Sequence, residues 1–278
     1  MKELLITDLD GTLLNSNGKL SDITSEIINQ YISAGGAFTF ATARTASSAV
    51  KITEKININA PCVLMNGVSI YDMQKKKYIK NEYINNDAAV AVANTFYQCN
   101  VKPFMYKIKN NQLFALYIGF ENKQMYEFFL LRRDKYDKPF IKCSDFACEA
   151  DENVVYFTTL GKYESLAPVK NRLDKIDDIS TAFYKDVYNK GLWFLEVFSN
   201  RASKSNGVNF LKKFGKFDYV TCFGDNLNDL PMFRICDKRI AVGNAKEEVK
   251  SAADEVIDCN DTDSVAFWIK KNYMKGFE

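Results

Sequence analysis

The sequence predicts an α/β fold, in which a core built on a parallel sheet is interrupted by an inserted α/β domain containing an antiparallel sheet. Three observations predict it. Strand-like and helix-like segments alternate at both ends of the chain, two hairpin signals fall in the middle, and 278 residues suit roughly two domains at about 100–200 residues each.

The first element lies in LLITDLDGTLL, residues 4–14. Leu4, Leu5 and Ile6 read as a strand buried on both faces, the pattern of a central strand in a parallel sheet. The strand runs into Asp8 and Asp10. Residues two apart on an extended chain point the same way, so extended geometry through Leu9 would bring both carboxylates into one space. Two anions that close repel unless a cation lies between them.

A helix follows over 21–35, where Ile23, Ile27, Ile28, Tyr31 and Ile32 recur at helical spacing and Gly35-Gly36 ends the run. AFTFA at 37–41 reads as the second strand, 45–55 as a short helix, and APCVLMNG at 60–67 as the third strand, stopped at Asn66-Gly67. The middle changes character. Residues 101–120 read as a hairpin turning at Asn110-Asn111, and 181–198 as a second turning at Asn189-Lys190-Gly191. Between them lie helical stretches near 121–134 and 162–175 and an apolar strand at 154–159. After 203 the alternation returns: a helix from Lys204, a strand at 218–223, a helix from about 228, short strands at 239–244 and 255–258, and a last helix. The expected division is a core of 1–83 with 199–278, and an inserted domain of 84–198 whose ends meet on the core surface.

Bulk composition narrows the function. With 47% hydrophobic and 26% charged residues the chain is an ordinary folded protein. Its net charge of 37 − 35 = +2 gives no electrostatic reason to expect nucleic acid or an acidic membrane as partner. No segment approaches the ~18–20 apolar residues that span a bilayer, and no leader pattern opens the chain. Seven scattered cysteines without a CxxC pair fit free thiols in a reducing compartment, so a cytoplasmic protein is expected, as a monomer or weak homo-oligomer. Histidine is absent, which excludes Ser-His-Asp and Cys-His catalysis and His-ligated zinc hydrolysis. Neither GxxxxGK[ST] nor GxGxxG occurs.

In open parallel sheets ligands bind at the carboxyl ends of the strands, and the polar clusters fall there. The first strand ends in Asp8 and Asp10, the second in Thr42, the third in Asn66-Gly67, and the strand at 219–223 runs into GDNLND at 224–229. Asp, Asn and Gly also favour turns and helix caps, so any single loop could be structural; four loops on one rim suit phosphoryl transfer. Asp8 and Asp225 offer carboxylates to hard Mg²⁺, a carboxylate can attack phosphorus, and Thr42 and Lys204 offer donors to the phosphoryl oxygens.

DLDGT at 8–12, FATAR at 40–44, SKSNGV at 203–208 and GDNLNDLPMF at 224–233, in that order, resemble the four motifs of the haloacid dehalogenase-like (HAD) superfamily. MNG at 65–67 and AVGNA at 241–245 resemble its Cof-type branch, which carries a large α/β cap between the second and third motifs. The resemblance implies a Rossmann-like core with an inserted cap, and a Mg²⁺-dependent phosphatase of small phosphorylated metabolites, sugar phosphates first among them. It implies Asp8 as nucleophile and Asp10 as acid and base, with Asp8, the Asp10 carbonyl and Asp225 at the metal. Asp229 would hold metal-bound water or Lys204. Thr42, Lys204 and Asn228 would bind phosphate, while Arg44, Asn66 and Gly67 would face the organic part of the substrate. The chain departs from the family at Ala43, where the family usually has glycine, and this bears on substrate fit.

Other readings remain open at this point. A sugar phosphomutase would use the same core, a DxD glycosyltransferase would use Asp8 and Asp10 but leave Lys204 and GDNLND without a role, and a phosphate-ligand sensor would need no turnover.

Overall fold

The computed structural model describes residues 1–186 and 189–274. The chain forms two compact units, Met1–Lys80 with Ser203–Glu278, and Asn81–Ala202.

The first unit is built on a five-stranded sheet in the order Glu255–Val256, Lys238–Ala241, Tyr219–Gly224, Glu3–Thr7, Ala37–Phe40. Every neighbouring pair is parallel. Leu4, Leu5 and Ile6 are fully buried in the strand flanked on both sides, as their unbroken apolar run requires. A parallel bridge from Ala41 to Val63 carries the sheet toward Cys62–Leu64. That short strand turns back antiparallel through Ser69–Asp72, with Lys77–Asn81 completing a small three-stranded sheet. The helix Asp22–Ser33 begins at Ser21, whose side chain accepts the Thr24 N–H. It packs against the last helix, Ser264–Tyr273, with the Tyr31 and Tyr273 rings 5.3 Å apart and edge-on.

The second unit holds a six-stranded sheet in the order Ile179–Lys185, Leu192–Ser199, Val154–Lys162, Phe104–Lys109, Gln112–Tyr117, Phe140–Lys142. All pairs are antiparallel except the last, which is parallel. The first hairpin turns where expected: Asn110 and Asn111 have φ of 52° and 63°, the two left-handed residues that a type I′ turn demands. The second hairpin also forms, and residues 187 and 188 of its connection lie outside the described residues. One face of the sheet is covered by the helices Asn86–Gln98, Phe146–Glu149 and Tyr163–Leu173. The first of these was not expected. Its buried face is Ala88, Ala89, Val92, Ala93 and Phe96, mostly small side chains that give a faint periodic signal. The parallel-sheet core with an inserted α/β unit around an antiparallel sheet is the fold class that the alternation and the hairpins predict.

The strand Glu3–Thr7 stops one residue before Asp8, so the extended geometry that would align Asp8 and Asp10 is not kept. Leu9 folds inward and is fully buried, and its carbonyl accepts from Leu13 and Leu14.

The helix Lys204–Gly215 presents Lys204 at its first turn, and Ser203 caps it by accepting the Asn206 N–H. Gly207 sets how closely this helix approaches the third strand, since a Cβ there would lie 2.5 Å from Val63 Cγ1. Glycine to alanine inside a helix ordinarily stabilises by about 0.5–1 kcal/mol. Here the sign reverses: Gly207→Ala is expected to destabilise by about 1–3 kcal/mol through overpacking, read as a lower urea midpoint.

Candidate active site

The carboxyl ends of the strands Glu3–Thr7 and Tyr219–Gly224 carry the charged centre. The Asp8 N–H donates to the Phe223 carbonyl at 3.0 Å, which fixes the first acidic loop to the neighbouring strand. Lys204 Nζ reaches Asp8 Oδ1 at 2.8 Å and Asp229 Oδ1 at 2.7 Å. All three side chains are nearly closed to water, with Asp8 5%, Lys204 2% and Asp229 0% exposed. Isolated charges this deep are costly, and only mutual pairing makes them tolerable.

Asp229 has a second task. Its Oδ2 accepts the backbone N–H groups of Asp225 and Asn226, each at 3.0 Å. With Lys204 on Oδ1, the carboxylate is engaged at both oxygens and shapes the acidic loop from within. Asp225 is held from the other side. Thr12 Oγ1 donates to Asp225 Oδ1 at 2.7 Å. Gly11, at φ +79°, lies so close that a Cβ would sit 2.5 Å from Asp225 Oδ2. Neither Thr12 nor Gly11 was assigned a role from sequence, although both sit inside DLDGT.

Asp8, Asp225 and Asp229 each offer an oxygen within 4.8 Å of the others. Three carboxylates against one ammonium leave an excess of two negative charges. The titration behaviour reflects burial first and that excess second. Burial pushes the Asp8 carboxyl well above the ordinary carboxylate range despite Lys204, and the charges of Asp229, Asp225 and Asp10 add to the rise. Asp225 is pushed up to about 6, by burial first and then by the charges of Asp229 and Asp10, against the Thr12 hydrogen bond and Lys204. Burial alone would lower Lys204, but the Asp229 and Asp8 charges outweigh it and hold the ammonium above its ordinary value. Hard oxygen donors and an unmet need for positive charge fit a divalent cation. Of the three gathered carboxylates, Asp229 is engaged at both oxygens, whereas Asp8 and Asp225 are each bonded at one.

Asp10 lies near enough for its charge to raise Asp8 and Asp225, but its carboxylate is outside the group of three. Its carboxylate takes the Arg44 fork, Nε to Oδ2 at 2.7 Å and Nη2 to Oδ1 at 2.6 Å, a bidentate pair. The expectation of two carboxylates facing one space is therefore corrected: the turn at Leu9 sends Asp10 to Arg44, and its side chain is not among the three gathered carboxylates.

The remaining expected residues form one set of linked loops. Thr42 is buried, its Oγ1 accepts the Arg44 N–H at 3.2 Å, and its carbonyl accepts the Asn66 N–H at 3.0 Å. Asn66 Oδ1 accepts Asn228 Nδ2 at 3.2 Å, joining the loop after the third strand to the acidic loop. Met65, Asn66 and Gly67 are consecutive left-handed residues, with φ of 49°, 54° and 102°. Gly67 is sterically obligatory, since a Cβ would lie 2.0 Å from the Ser203 carbonyl oxygen, one residue before Lys204. Strain of this kind concentrates at functional loops. Ala43 is exposed and is not among the left-handed residues, so its backbone does not need glycine here.

Comparison with known proteins bears on the family and the fold. Residues 5–269 match the haloacid dehalogenase-like hydrolase family. A protein of Buchnera aphidicola subsp. Baizongia pistaciae named as a putative phosphatase is 26% identical over 99% of this chain and 100% of its own length. Phosphatase YwpJ of Bacillus subtilis is 25% identical over 96% of this chain and 99% of its own. Among solved structures, TM0651 from Thermotoga maritima superposes with a TM-score of 0.80 at 23% identity, covering 98% of this chain and 97% of that one. The HAD subclass IIB sugar phosphatase BT4131 superposes with a TM-score of 0.71 at 21% identity, covering 97% and 98%. At these identities the structures speak to the fold, and the family match spans nearly the whole sequence. The chain belongs to the haloacid dehalogenase-like hydrolases.

Proposed function

We propose that this hydrolase is a Mg²⁺-dependent phosphatase of small phosphorylated metabolites, with sugar phosphates as the substrate class, acting through an aspartyl-phosphate on Asp8. The observation that carries the reading is the buried Asp8 carboxylate, fixed by Lys204 and set beside Asp225 in a site two positive charges short of neutrality. Relatives named as phosphatases, and a sugar phosphatase of the same fold, support the substrate class.

In this reading an Asp8 oxygen forms the new bond to phosphorus while the ester P–O bond breaks. Asp10 gives the departing oxygen its proton, then takes one from the water that hydrolyses the acyl phosphate. Both Asp10 oxygens are engaged by Arg44, so proton transfer at Asp10 requires the guanidinium to leave at least one of them. Arg44, Asn66 and Gly67 then meet the organic part of the substrate. Lys204 has three N–H donors, of which two go to Asp8 and Asp229; the third would go to a phosphoryl oxygen, alongside Thr42 and Asn228. Mg²⁺ held by Asp8, Asp225 and the Asp10 carbonyl would neutralise charge on the phosphoryl group. Asp229 serves by holding Lys204 and the Asp225 backbone. The second unit is assigned the part of a cap that selects substrates and excludes water. No helix of the described residues is long and apolar enough to cross a membrane, and all seven cysteines are free, which supports a reducing compartment, the cytoplasm.

The direct test is phosphate release from a panel of phosphorylated sugars, nucleotides and cofactors, with Mg²⁺ and with chelator. Release from sugar phosphates that chelator abolishes is the expected outcome; release unaffected by chelator would refute the metal role. Asp8→Asn is expected to lose turnover by at least about a thousandfold while still binding substrate, because an amide keeps the shape but is not a nucleophile. Turnover close to wild type in that variant would remove Asp8 from the mechanism.

The raised carboxyls set a pH dependence. A cation must displace the proton from Asp225 below about 6, so Mg²⁺ affinity measured by calorimetry is expected to fall by up to about tenfold per pH unit as pH drops below that value. The metal-free fold behaves oppositely. A carboxyl raised in the folded state holds its proton more tightly there than in the unfolded chain, so this group's contribution to stability declines from about pH 4 to 6 and is level above. Denaturation midpoints in chelator across that range check the sign.

A further inference from the structure

The acidic loops at Asp8–Leu14 and Gly224–Asp229 meet through Thr12 and Gly11, but each is also held from behind by a third segment. The turn after the strand Lys238–Ala241 contacts both. Its Val242 N–H donates to the Gly224 carbonyl at 3.3 Å, and its Lys246 N–H donates to the Asp225 carbonyl at 2.9 Å. Asn244, between them, reaches the other loop: Nδ2 donates to the Gly11 carbonyl at 2.8 Å. The same amide accepts, at Oδ1, the backbone N–H of Asn260 at 2.9 Å. Asn260 is only 6% exposed, and its Nδ2 donates to the Leu14 carbonyl at 2.8 Å. Gly11 and Leu14, at two points of the first acidic loop, are thus tied to a pair of asparagines distant in sequence.

We infer that Asn244 and Asn260 form a brace that sets the distance between the two acidic loops and so the affinity of the site for its cation. This deepens the metal reading above and rests on it. The chemistry of the amide explains the residue type. The Gly11 carbonyl can only accept and the Asn260 N–H can only donate, so the side chain between them must do both at once, with its orientation fixed. Alanine does neither, and serine is too short to span the same pair. The brace acts on Asp225 through two routes. Gly11 bears on the Asp225 carboxylate with no room for a Cβ, and its neighbour Thr12 donates to Asp225 Oδ1. Displacing the Gly11 carbonyl moves both. Meanwhile the Lys246 N–H fixes the Asp225 backbone from the opposite side. Asn244 and Asn260 are positioning residues: they touch the loops, not the reacting atoms. Sequence reading noted Asn244 within AVGNA but gave it no task, and passed over Asn260.

The test is calorimetric titration of Mg²⁺ into the full chain, comparing wild type, Asn244→Ala, Asn260→Ala and the double variant. Partners behind metal ligands typically contribute 10–100-fold in affinity, so each single variant is expected to weaken Mg²⁺ binding by about tenfold. The double variant is expected to bind no more tightly than the poorer single, because Asn244 and Asn260 hold two points of the same loop through separate bonds. Asn260 is buried and its variant could fail to fold, whereas Asn244 is exposed. Asn244→Ala is expected to keep its metal-free melting temperature within about 2–4 °C of wild type, which separates a positioning role from a loss of fold. Unchanged Mg²⁺ affinity in Asn244→Ala would overturn the brace and leave the metal reading standing. Failure of the wild type to bind Mg²⁺ would overturn the metal reading, and the brace with it.

Discussion

A lysine ammonium sealed between two aspartates is the interaction on which the rest of the site depends. Lys204, Asp8 and Asp229 come from three separate segments, and each would be prohibitively costly to bury alone. Their pairing therefore fixes the first strand, the helix Lys204–Gly215 and the acidic loop relative to one another more strictly than apolar packing could. Apolar contacts tolerate small slides, whereas a buried ion pair loses several kcal/mol when one partner is withdrawn. The close approach of Gly207 to Val63 serves the same end, since it lets the helix sit deep enough for Lys204 to reach both carboxylates.

The three gathered carboxylates are chemically alike, and their surroundings give them different work. Asp229 is engaged at both oxygens, by an ammonium and by two backbone N–H groups, and is thereby committed to structure. Asp225 has a hydroxyl on one oxygen and a glycine against the other, so it is held in place with its charge poorly offset. Asp8 has Lys204 on Oδ1 and burial against it. The donor count, more than the distance, separates a carboxylate whose charge is offset from one whose charge is not. Site-bound positive charge relieves the second kind and adds little to the first.

Much of this was legible because the chemistry sits where strands end. An apolar run that stops at an acidic or amide loop gives a pattern visible in a single sequence, and four such ends located Asp8, Thr42, Asn66 and Asp225 on one rim. The shared direction of Asp8 and Asp10 depended on an extended backbone, and that condition is not met for a local reason. Leu9 turns into the core, where it is fully buried, and Asp10 pairs with Arg44. Thr12 and Asn260 stayed unassigned because a hydroxyl or amide bonded to a residue more than two hundred positions away has no periodicity to reveal it. In the second unit the polar groups are thinner still. Glu196 is buried and accepts from Tyr184 at 2.9 Å, with burial raising its carboxyl despite the hydrogen bonds of Tyr156 and Tyr184 and the nearby Arg132. These four lie on different strands and a helix, one residue from each, so no stretch of sequence announces them.

Strain and close contact bind the substrate-side loops into one mechanical piece. Thr42 receives Asn66, Asn66 receives Asn228, and Gly67 rests on the backbone of Ser203. The loop at 65–67 is held left-handed over three residues, a conformation that the chain adopts only when its surroundings enforce it. Backbone hydrogen bonds from Met65 to Arg44 and from Asn66 to Thr42 hold it, and Gly67 lies against Ser203, which caps the helix bearing Lys204. A residue expected to face the organic part of the substrate is therefore coupled, through one backbone contact, to the lysine expected to face its phosphate. Any side chain at Gly67 would press on the residue that caps the Lys204 helix as well as strain its own loop, so a substitution there disturbs both segments at once.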